Sequence, residues 1–166
     1  MSTLRVDTLQ DRLGTGVPSL GAPAFRAYMN NGGANYSISN GVNTKIPFDT
    51  EDFDTNSFFD NTTNYRFQPT IAGYYQVTVS VYLSYTTTPG VAPYVLIYKN
   101  GVAYNRGGQI QASGTYGFVN ITDVVYLNGS TDYLEGYCYY NSTGAVIAYS
   151  SIGNSTFMSG VLVRAD

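Results

Sequence analysis

Residues 54–77 read DTNSFFDNTTNYRFQPTIAGYYQV, and this stretch decides the fold class. Phe67 stands two residues before Pro69, and Gly73 opens a run of aromatic and β-branched residues. Proline beside a strand end and glycine at a turn fix the points where the chain can change direction. The stretch therefore predicts a strand, a turn and a second strand of a β-sandwich.

The second of these strands has the clearest alternation of apolar and polar side chains in the sequence. Successive side chains of a strand point to opposite faces, so residues two apart share a face. One face holds Tyr75, Val77, Val79, Val81 and Leu83, and the other holds Gln76, Thr78 and Ser80. We expect the first set to lie in a core.

Further strand patterns, separated by turn residues, follow along the whole chain. Asn100-Gly101 and Asn128-Gly129 predict tight turns. No segment has helical periodicity. The predicted strands cover residues 24–29, 43–48, 65–68, 73–84, 94–98, 102–111, 116–127, 132–140, 145–150 and 156–164. Ten short antiparallel strands must close a barrel or pack as two sheets, which favours an all-β jelly roll.

The composition agrees with this fold class. The 166 residues suit one domain with a short arm, and only 11% of them are charged, whereas Tyr reaches 17 and Gly 18. Surface helices need many more charged residues than this. The net charge is −3 without a run of basic residues, so binding to nucleic acid is not expected.

The cysteine count and the lengths of the apolar runs indicate whether the chain is expected to form disulfides or to enter a membrane. Cys138 is the single cysteine, so an intrachain disulfide is excluded, and its strand-like surroundings predict a buried thiol. No apolar run is long enough to cross a bilayer, so membrane insertion is not expected. The N-terminus lacks the layout of a secretion signal, which predicts synthesis and accumulation in the cytoplasm.

The residues needed for catalysis are scarce. The chain contains no histidine, which removes the usual general base and the histidine-dependent triads. The acidic residues Asp49, Glu51, Asp52, Asp54 and Asp60 cluster in a polar stretch, for which we predict a solvated loop. The alternatives are a weak calcium site formed by Asp49, Asp52 and Asp54, and a carboxylate pair that hydrolyses glycosides.

Residues 1–23 differ from the rest and are predicted to form an extended arm ahead of a head at 24–166. Glycines and prolines at 14–23 interrupt any helix. The apolar side chains of the arm cannot be buried by the arm alone, so we expect them to pack against other chains. They are Leu4, Val6, Leu9, Leu13 and Val17. The alternative is a disordered leader.

The aromatic content also favours an oligomer. Aromatic residues make up 15% of the chain, and a lone domain of this size rarely covers so many. Tyrosine suits subunit contacts because its ring can be buried while its hydroxyl is hydrogen-bonded. The alternative is that most of the tyrosines fill the core of a single sandwich.

Motifs spread over most of the head resemble the C1q/TNF-like globular domain family in order along the chain. They are AF at 24–25, KIPFD at 45–49, the stretch from FD at 59–60 to FQP at 67–69, AGYY at 72–75, IYKNG at 97–101, VVYLNGS at 124–130 and STFMSGVL at 155–162. The resemblance implies a ten-stranded antiparallel jelly roll that assembles as a homotrimer.

The arm carries a second resemblance. LRVDTLQD at 4–11 and GTGVPSL at 14–20 are similar to connectors of phage tail-fibre and other virion-fibre proteins. The collagen-like Gly-x-y stalk of many C1q-type proteins is absent from the sequence. Together the two resemblances imply a non-enzymatic phage virion appendage: a tail fibre, a head fibre or a decoration, made in the host cytoplasm.

In this interpretation the arm docks on other virion proteins and the head binds a host-surface receptor or glycan. The loops at the ends of a jelly roll are the expected binding sites, because loops carry recognition. The candidates are Tyr85, Thr87, Thr88, Tyr116, Asn141 and Thr143. Two alternatives remain open: a soluble secreted C1q-like recognition domain with calcium-linked, lectin-like binding, and a glycan-degrading enzyme.

Overall fold

A computed structural model of the chain describes residues 21–84, 93–108, 116–141, 146–148 and 154–166. These residues form thirteen strand segments and one short 3₁₀ turn at Asn31–Gly33. The strands are β1 (Ala24–Tyr28), β2 (Tyr36–Ile38), β3 (Thr44–Lys45), β4 (Thr50–Asp54), β5 (Phe59–Asp60), β6 (Arg66–Phe67), β7 (Ala72–Ser84), β8 (Tyr94–Lys99), β9 (Val102–Arg106), β10 (Tyr116–Asn128), β11 (Leu134–Tyr139), β12 (Val146–Ala148) and β13 (Phe157–Ala165).

The strands pair antiparallel in two sheets. In the seven-stranded sheet, β10 pairs with β7 along its full length, while β13 and β12 share the opposite edge of β7. Strands β1 and β4 continue the sheet beyond β13, and β2 continues it beyond β12. The six-stranded sheet runs β5-β6-β11-β8-β9, with β3 also paired to β11. The predicted all-β jelly-roll class is confirmed.

The core lies between the sheets and follows the alternation seen in the sequence. Tyr75, Val77, Val79, Val81 and Leu83 are all fully buried, as predicted. Burying side chains of this kind contributes about 1.5–3 kcal/mol each, which makes β7 the central strand of the domain.

The stretch at 54–77 contributes the aromatic part of this core. The ring of Phe67 stacks on Phe25 at a centroid distance of 4.3 Å and meets Tyr75 edge-on at 5.2 Å. The Tyr75 hydroxyl donates to the Ile71 carbonyl at 2.8 Å, so the buried ring leaves no polar atom unpaired. Burial raises the pKa of Tyr75 to about 12.

The predicted tight turns are present. Asn100 and Gly101 both have positive φ, at 55° and 77°, which is the backbone of a two-residue hairpin turn between β8 and β9. Gly129 has φ of 67°, and a Cβ there would lie 2.4 Å from the Ala72 nitrogen. Glycine is therefore required at 129 by both conformation and space.

Each of the ten predicted strands is present, with some boundaries shortened. The segment predicted at 43–48 pairs only over Thr44–Lys45, and the one at 102–111 is described as a strand to Arg106. Strands β2, β4 and β5 were not predicted from the sequence. Cys138 is fully buried, as predicted. None of the described helical residues forms a segment with the length and hydropathy needed to span a bilayer.

The prediction of a solvated acidic loop is wrong for residues 50–54, because they form β4, which pairs with β1. The sequence TEDFD of this strand has no alternating apolar side chains, so its pattern gave no strand signal. The pairing with β1 supplies the backbone hydrogen bonds that the side-chain pattern does not indicate.

Candidate functional site

The direction of β7 gives the head two opposite ends. Near the start of β7, the Leu162 amide donates to the Pro23 carbonyl at 2.9 Å, so the described residues that precede β1 lie at this end, hereafter the arm end. At the other end, the distal end, Ser84 pairs with Tyr116 of β10 and with Ile147 of β12. Thirteen extended residues separate the two ends by about 40 Å.

Two of the predicted binding residues, Tyr116 and Asn141, are described, and both lie at strand ends. Tyr116 is 54% exposed, and its ring stacks on that of Tyr82 at 6.1 Å. Tyr82 also contacts Phe118, with ring centroids 4.5 Å apart. Asn141 is exposed and follows β11, where Tyr139 pairs with Tyr94 at the start of β8. Tyr85, Thr87, Thr88 and Thr143 lie outside the described residues.

The arm residues proposed for virion attachment also lie outside the described residues. They are Leu4, Val6, Leu9, Leu13 and Val17. Their role, and the boundary between an arm at 1–23 and a head at 24–166, stay predictions.

The weak calcium candidates have partners within the protein. Asp49 accepts hydrogen bonds from the backbone amides of Asn30 and Asn31 at 2.7 and 2.8 Å. Asp52 forms an ion pair with Arg26, and Asp54 accepts from the Phe59 amide at 2.7 Å. In the described part of the chain, no three carboxylate, histidine or cysteine side chains form a group that could hold a metal ion. The structure does not bring Asp49, Asp52 and Asp54 together as ligands.

The other two acidic residues of the predicted cluster, Asp60 and Glu51, have pKa values that shift in opposite directions. The Asp60 carboxylate accepts the backbone amides of Thr62, Thr63 and Asn64 at 2.9–3.2 Å, and these bonds hold its pKa well below its usual range. Partial burial, and second the charge of Asp54, raise the pKa of Glu51. Asp60 therefore stabilises the turn after β5.

Exposed apolar side chains cover the outward surface of the seven-stranded sheet. Val124, Tyr74 and Phe118 are 49%, 43% and 45% exposed. The outward positions of β7 and β10 carry no charged side chain, and Thr78 and Thr122 bond to each other at 2.8 Å. Hereafter the apolar face is this surface, made of Phe53, Tyr74, Phe118, Val124, Tyr126 and Val161. Exposed apolar side chains gathered on one surface, with uncharged polar side chains between them, are typical of a contact with another protein.

The six-stranded sheet carries a different outward surface, which was not predicted from the sequence. Its side chains, hereafter the tyrosine face, are Tyr94, Tyr98, Tyr133, Tyr137 and Tyr139, all half-buried. Tyr98 stacks on Tyr137 at 3.8 Å, and Tyr94 stacks on Tyr139 at 4.7 Å. Tyr94 and Tyr98 lie four residues apart in β8, and Tyr137 and Tyr139 lie two apart in β11, and such even spacings were a signal for one shared face. The pairing of β8 with β11, which brings the rings together, was not visible in the sequence.

Two arginines border the tyrosine face. The Arg106 guanidinium lies 4.7 Å from the ring centroid of Tyr94, and the Arg66 guanidinium lies 4.5 Å from that of Tyr133. Burial and the charge of Glu135 raise the pKa of Tyr137 to about 12, so its hydroxyl stays protonated at neutral pH. The face is a preformed aromatic surface with cationic edges.

No protein-family model matches the chain, and no curated protein matches it. Solved structures do. The globular domain of zebrafish complement 1qA superposes with a TM-score of 0.61 at 15% identity, covering 87% of this chain and 99% of that one. Eiger TNF from S. frugiperda superposes with a TM-score of 0.54 at 11% identity, covering 87% of this chain and 93% of that one. PRD1 vertex protein P5 superposes with a TM-score of 0.59 at 14% identity, covering 86% of this chain and 97% of that one.

These likenesses establish the fold. The two-sheet order, the buried alternation of β7 and the nearly complete coverage of the zebrafish domain agree with one another. The head of this chain has the C1q/TNF-like jelly-roll fold.

Proposed function

We propose that the chain is a non-enzymatic phage virion appendage, a tail fibre, a head fibre or a decoration. Three chains assemble into a homotrimer, residues 1–23 dock on other virion proteins, and the head binds a receptor or glycan of the host surface at its distal end. The protein acts in the virion after synthesis in the host cytoplasm.

The apolar face is the observation that carries the proposal. In a lone chain, Val124, Val161 and Phe118 remain 40–49% exposed, and the outward positions of β7 and β10 hold no charge that would keep neighbouring chains apart. Packing three copies through this face removes the same apolar side chains from water in each chain, which favours a closed symmetric assembly.

The two ends of the head support separate attachment and binding roles. The arm joins at the arm end, whereas Tyr116 lies about 40 Å away at the other end of the β7–β10 pair and Asn141 follows the last residues of β11. A particle could therefore hold the arm while the distal end meets the host. The likeness to PRD1 vertex protein P5, together with the fibre-connector pattern of the arm, supports a virion component.

Light scattering of the purified full chain tests the assembly. We expect a mass of about 54 kDa, which is three chains of 18.0 kDa. A folded monomer at micromolar concentration would refute the trimer. Immunogold labelling of purified particles with an antibody to the chain then tests the virion role. Particles that carry no label would refute it.

A binding assay with the fluorescent full chain on host cells tests recognition at the distal end. We expect Tyr116→Ala to weaken binding, because an exposed aromatic ring at a recognition surface contributes contact area at low entropic cost. Ile71→Ala is the matched control, since Ile71 is an exposed apolar residue near the arm end. Equal binding by the two variants and the wild type would contradict a distal binding site.

A further inference from the structure

We infer that the tyrosine face is a second binding surface of the head, additional to the distal end, and that its ligand is an acidic glycan, a polymer whose sugars carry carboxylate or phosphate groups. Arg66 and Arg106 hold the acidic groups, and the tyrosine rings between them contact the sugar rings. This inference rests on the proposed recognition of the host surface and adds a contact that the loop residues do not form.

The tyrosine rings are held in place before any ligand arrives. Tyr98 and Tyr137 stack at 3.8 Å with an interplanar angle of 20°, and Tyr94 and Tyr139 stack at 4.7 Å with an angle of 15°. The Tyr98 hydroxyl also accepts a hydrogen bond from the Asn43 side-chain amide at 2.7 Å. Ring positions fixed in this way lose little rotamer entropy when a ligand binds.

The half-buried rings suit a sugar better than an apolar partner. A tyrosine presents an apolar ring surface for the C–H groups of a sugar and a hydroxyl for hydrogen bonding. Lys45 lies beside the tyrosine face, where it forms an ion pair with the buried Glu135 at 2.5 Å. The apolar face of the other sheet has no comparable polar groups on β7 and β10 except hydroxyls and amides.

The charges of the two arginines indicate an acidic ligand. Within the described residues, the ion pairs join Arg26 to Asp52, Lys45 to Glu135 and Lys99 to Asp132, so neither Arg66 nor Arg106 takes part in one. Each guanidinium instead lies over a tyrosine ring, which orients its planar donor groups. A planar guanidinium matches carboxylate and phosphate oxygens in geometry and charge.

Asp60 faces Arg66 across the β5–β6 pair, but the two side chains do not form an ion pair. Its carboxylate accepts hydrogen bonds from the amides of the following turn, including those of Thr62 and Thr63 at 3.0 and 2.9 Å. The Arg66 guanidinium packs on Tyr133 rather than forming an ion pair with Asp60.

The spacing of the arginines favours a polymer over a single sugar. Arg66 lies on β6 and Arg106 on β9, with β11 and β8 between them. Three strand spacings across the sheet and two residues along it separate their backbones by roughly 16 Å. The stacked tyrosines of β8 and β11 occupy this interval, so one chain of sugars can contact both arginines and the rings.

A glycan array probed with the purified full chain tests the inference. The array carries uronic-acid polymers, sialylated glycans and glycerol-phosphate polymers, with neutral glucans and mannans as uncharged counterparts. We expect retention on acidic glycans that falls as salt is raised. The carboxylate and phosphate members distinguish the two kinds of acidic group. Retention on none of the acidic members, or on neutral members alone, would overturn the inference.

Variants identify the surface. We expect Arg66→Gln with Arg106→Gln to weaken retention at least about ten-fold, because two hydrogen-bonded charge contacts are lost. The control, Arg5→Gln with Arg12→Gln, removes the same charge from the arm and should leave retention unchanged. Since both head side chains point outward, circular dichroism and light scattering should show an unchanged fold and mass. Unchanged retention in the head variant would refute the assignment to the tyrosine face.

Loop variants separate this inference from the proposed function. Suppose that the double variant Thr87→Ala with Thr88→Ala no longer binds the array, whereas the double arginine variant binds it like the wild type. The head then binds glycans through its distal loops, and the tyrosine face does not bind them. If host cells that lack acidic surface glycans bind the chain as well as cells that carry them, the receptor is not an acidic glycan and the inference is wrong.

Discussion

Replacing Val124 with aspartate tests the trimer contact most directly. Val124 lies in the middle of the apolar face, where it pairs across the sheet with Gln76, which in turn pairs with Val161 of β13. Its side chain points away from the core and is 49% exposed in a lone chain. The substitution should therefore weaken assembly while leaving the core of each chain intact.

The size of the effect follows from burial. Full burial of a valine is worth about 1.5–3 kcal/mol, so covering the exposed half contributes roughly 1 kcal/mol. Burying a polar group without a partner costs about 1–3 kcal/mol more. The total is about 2–4 kcal/mol for each chain and about 6–12 kcal/mol for a trimer. At about 1.4 kcal/mol per factor of ten, the trimer association constant falls by roughly four to nine orders of magnitude.

Sedimentation velocity at micromolar concentration measures this change. We expect a trimer for the wild type and a monomer for Val124→Asp. If Val124→Asp does not fold because single chains are unstable, the milder variant Val124→Thr should give a mixture of trimer and monomer. The control is Val102→Asp, which places the same charge on a valine that is 69% exposed on the edge strand of the other sheet. A Val124→Asp chain that sediments like the wild type would refute the assignment of the contact to the apolar face.

Three further changes test the fold and its titrating groups. Gly129→Ala should lower the free energy of unfolding in urea by about 2–4 kcal/mol, since its Cβ would meet the Ala72 nitrogen. The control is Gly41→Ala, at a similar φ with no atom within 4 Å, which should lower it by about 1 kcal/mol. Equal losses in the two variants would contradict the close approach at Gly129. The lowered pKa of Asp60 means that the native carboxylate stays charged when the unfolded one is protonated, so this contribution to stability is present above its ordinary pKa of 3.8 and is lost as the pH falls. Asp60→Asn should therefore reduce the loss of urea resistance between about pH 4 and pH 2, and parallel curves for the variant and the wild type would disprove the role of Asp60. Burial raises the pKa of Cys138 to about 12, so its thiol should react with a disulfide reagent at about pH 8 only as fast as the chain unfolds; rapid labelling of the native protein would show that the thiol is accessible.

The sequence predicted the strands whose side chains alternate and failed for those that depend on a neighbour. The alternation from Tyr75 to Leu83 identified β7 and its buried face without any structure. Strand β4 has no such pattern and is held by its pairing with β1, so its acidic residues were read as a loop. The same limit applies to β2 and β5, which have three and two residues and present no repeat that could be recognised.

The candidate binding surfaces were predicted unevenly for the same reason. Tyr116 and Asn141 were found because loops between strand patterns can be located in a sequence. The tyrosine face was missed because Tyr98 and Tyr137 are far apart in the chain and meet only when β8 pairs with β11.

The order of residues alone determined that this protein is an all-β domain with a buried central strand, because strand alternation and turn chemistry are local properties. Tertiary structure decided which outward surfaces exist. Pairing β7 with β10 joined Tyr74, Phe118 and Val124 in an uncharged apolar face, and pairing β8 with β11 stacked tyrosines between two arginines. Those surfaces depend on which strands become neighbours, and that choice is made by the packing of the two sheets around one core.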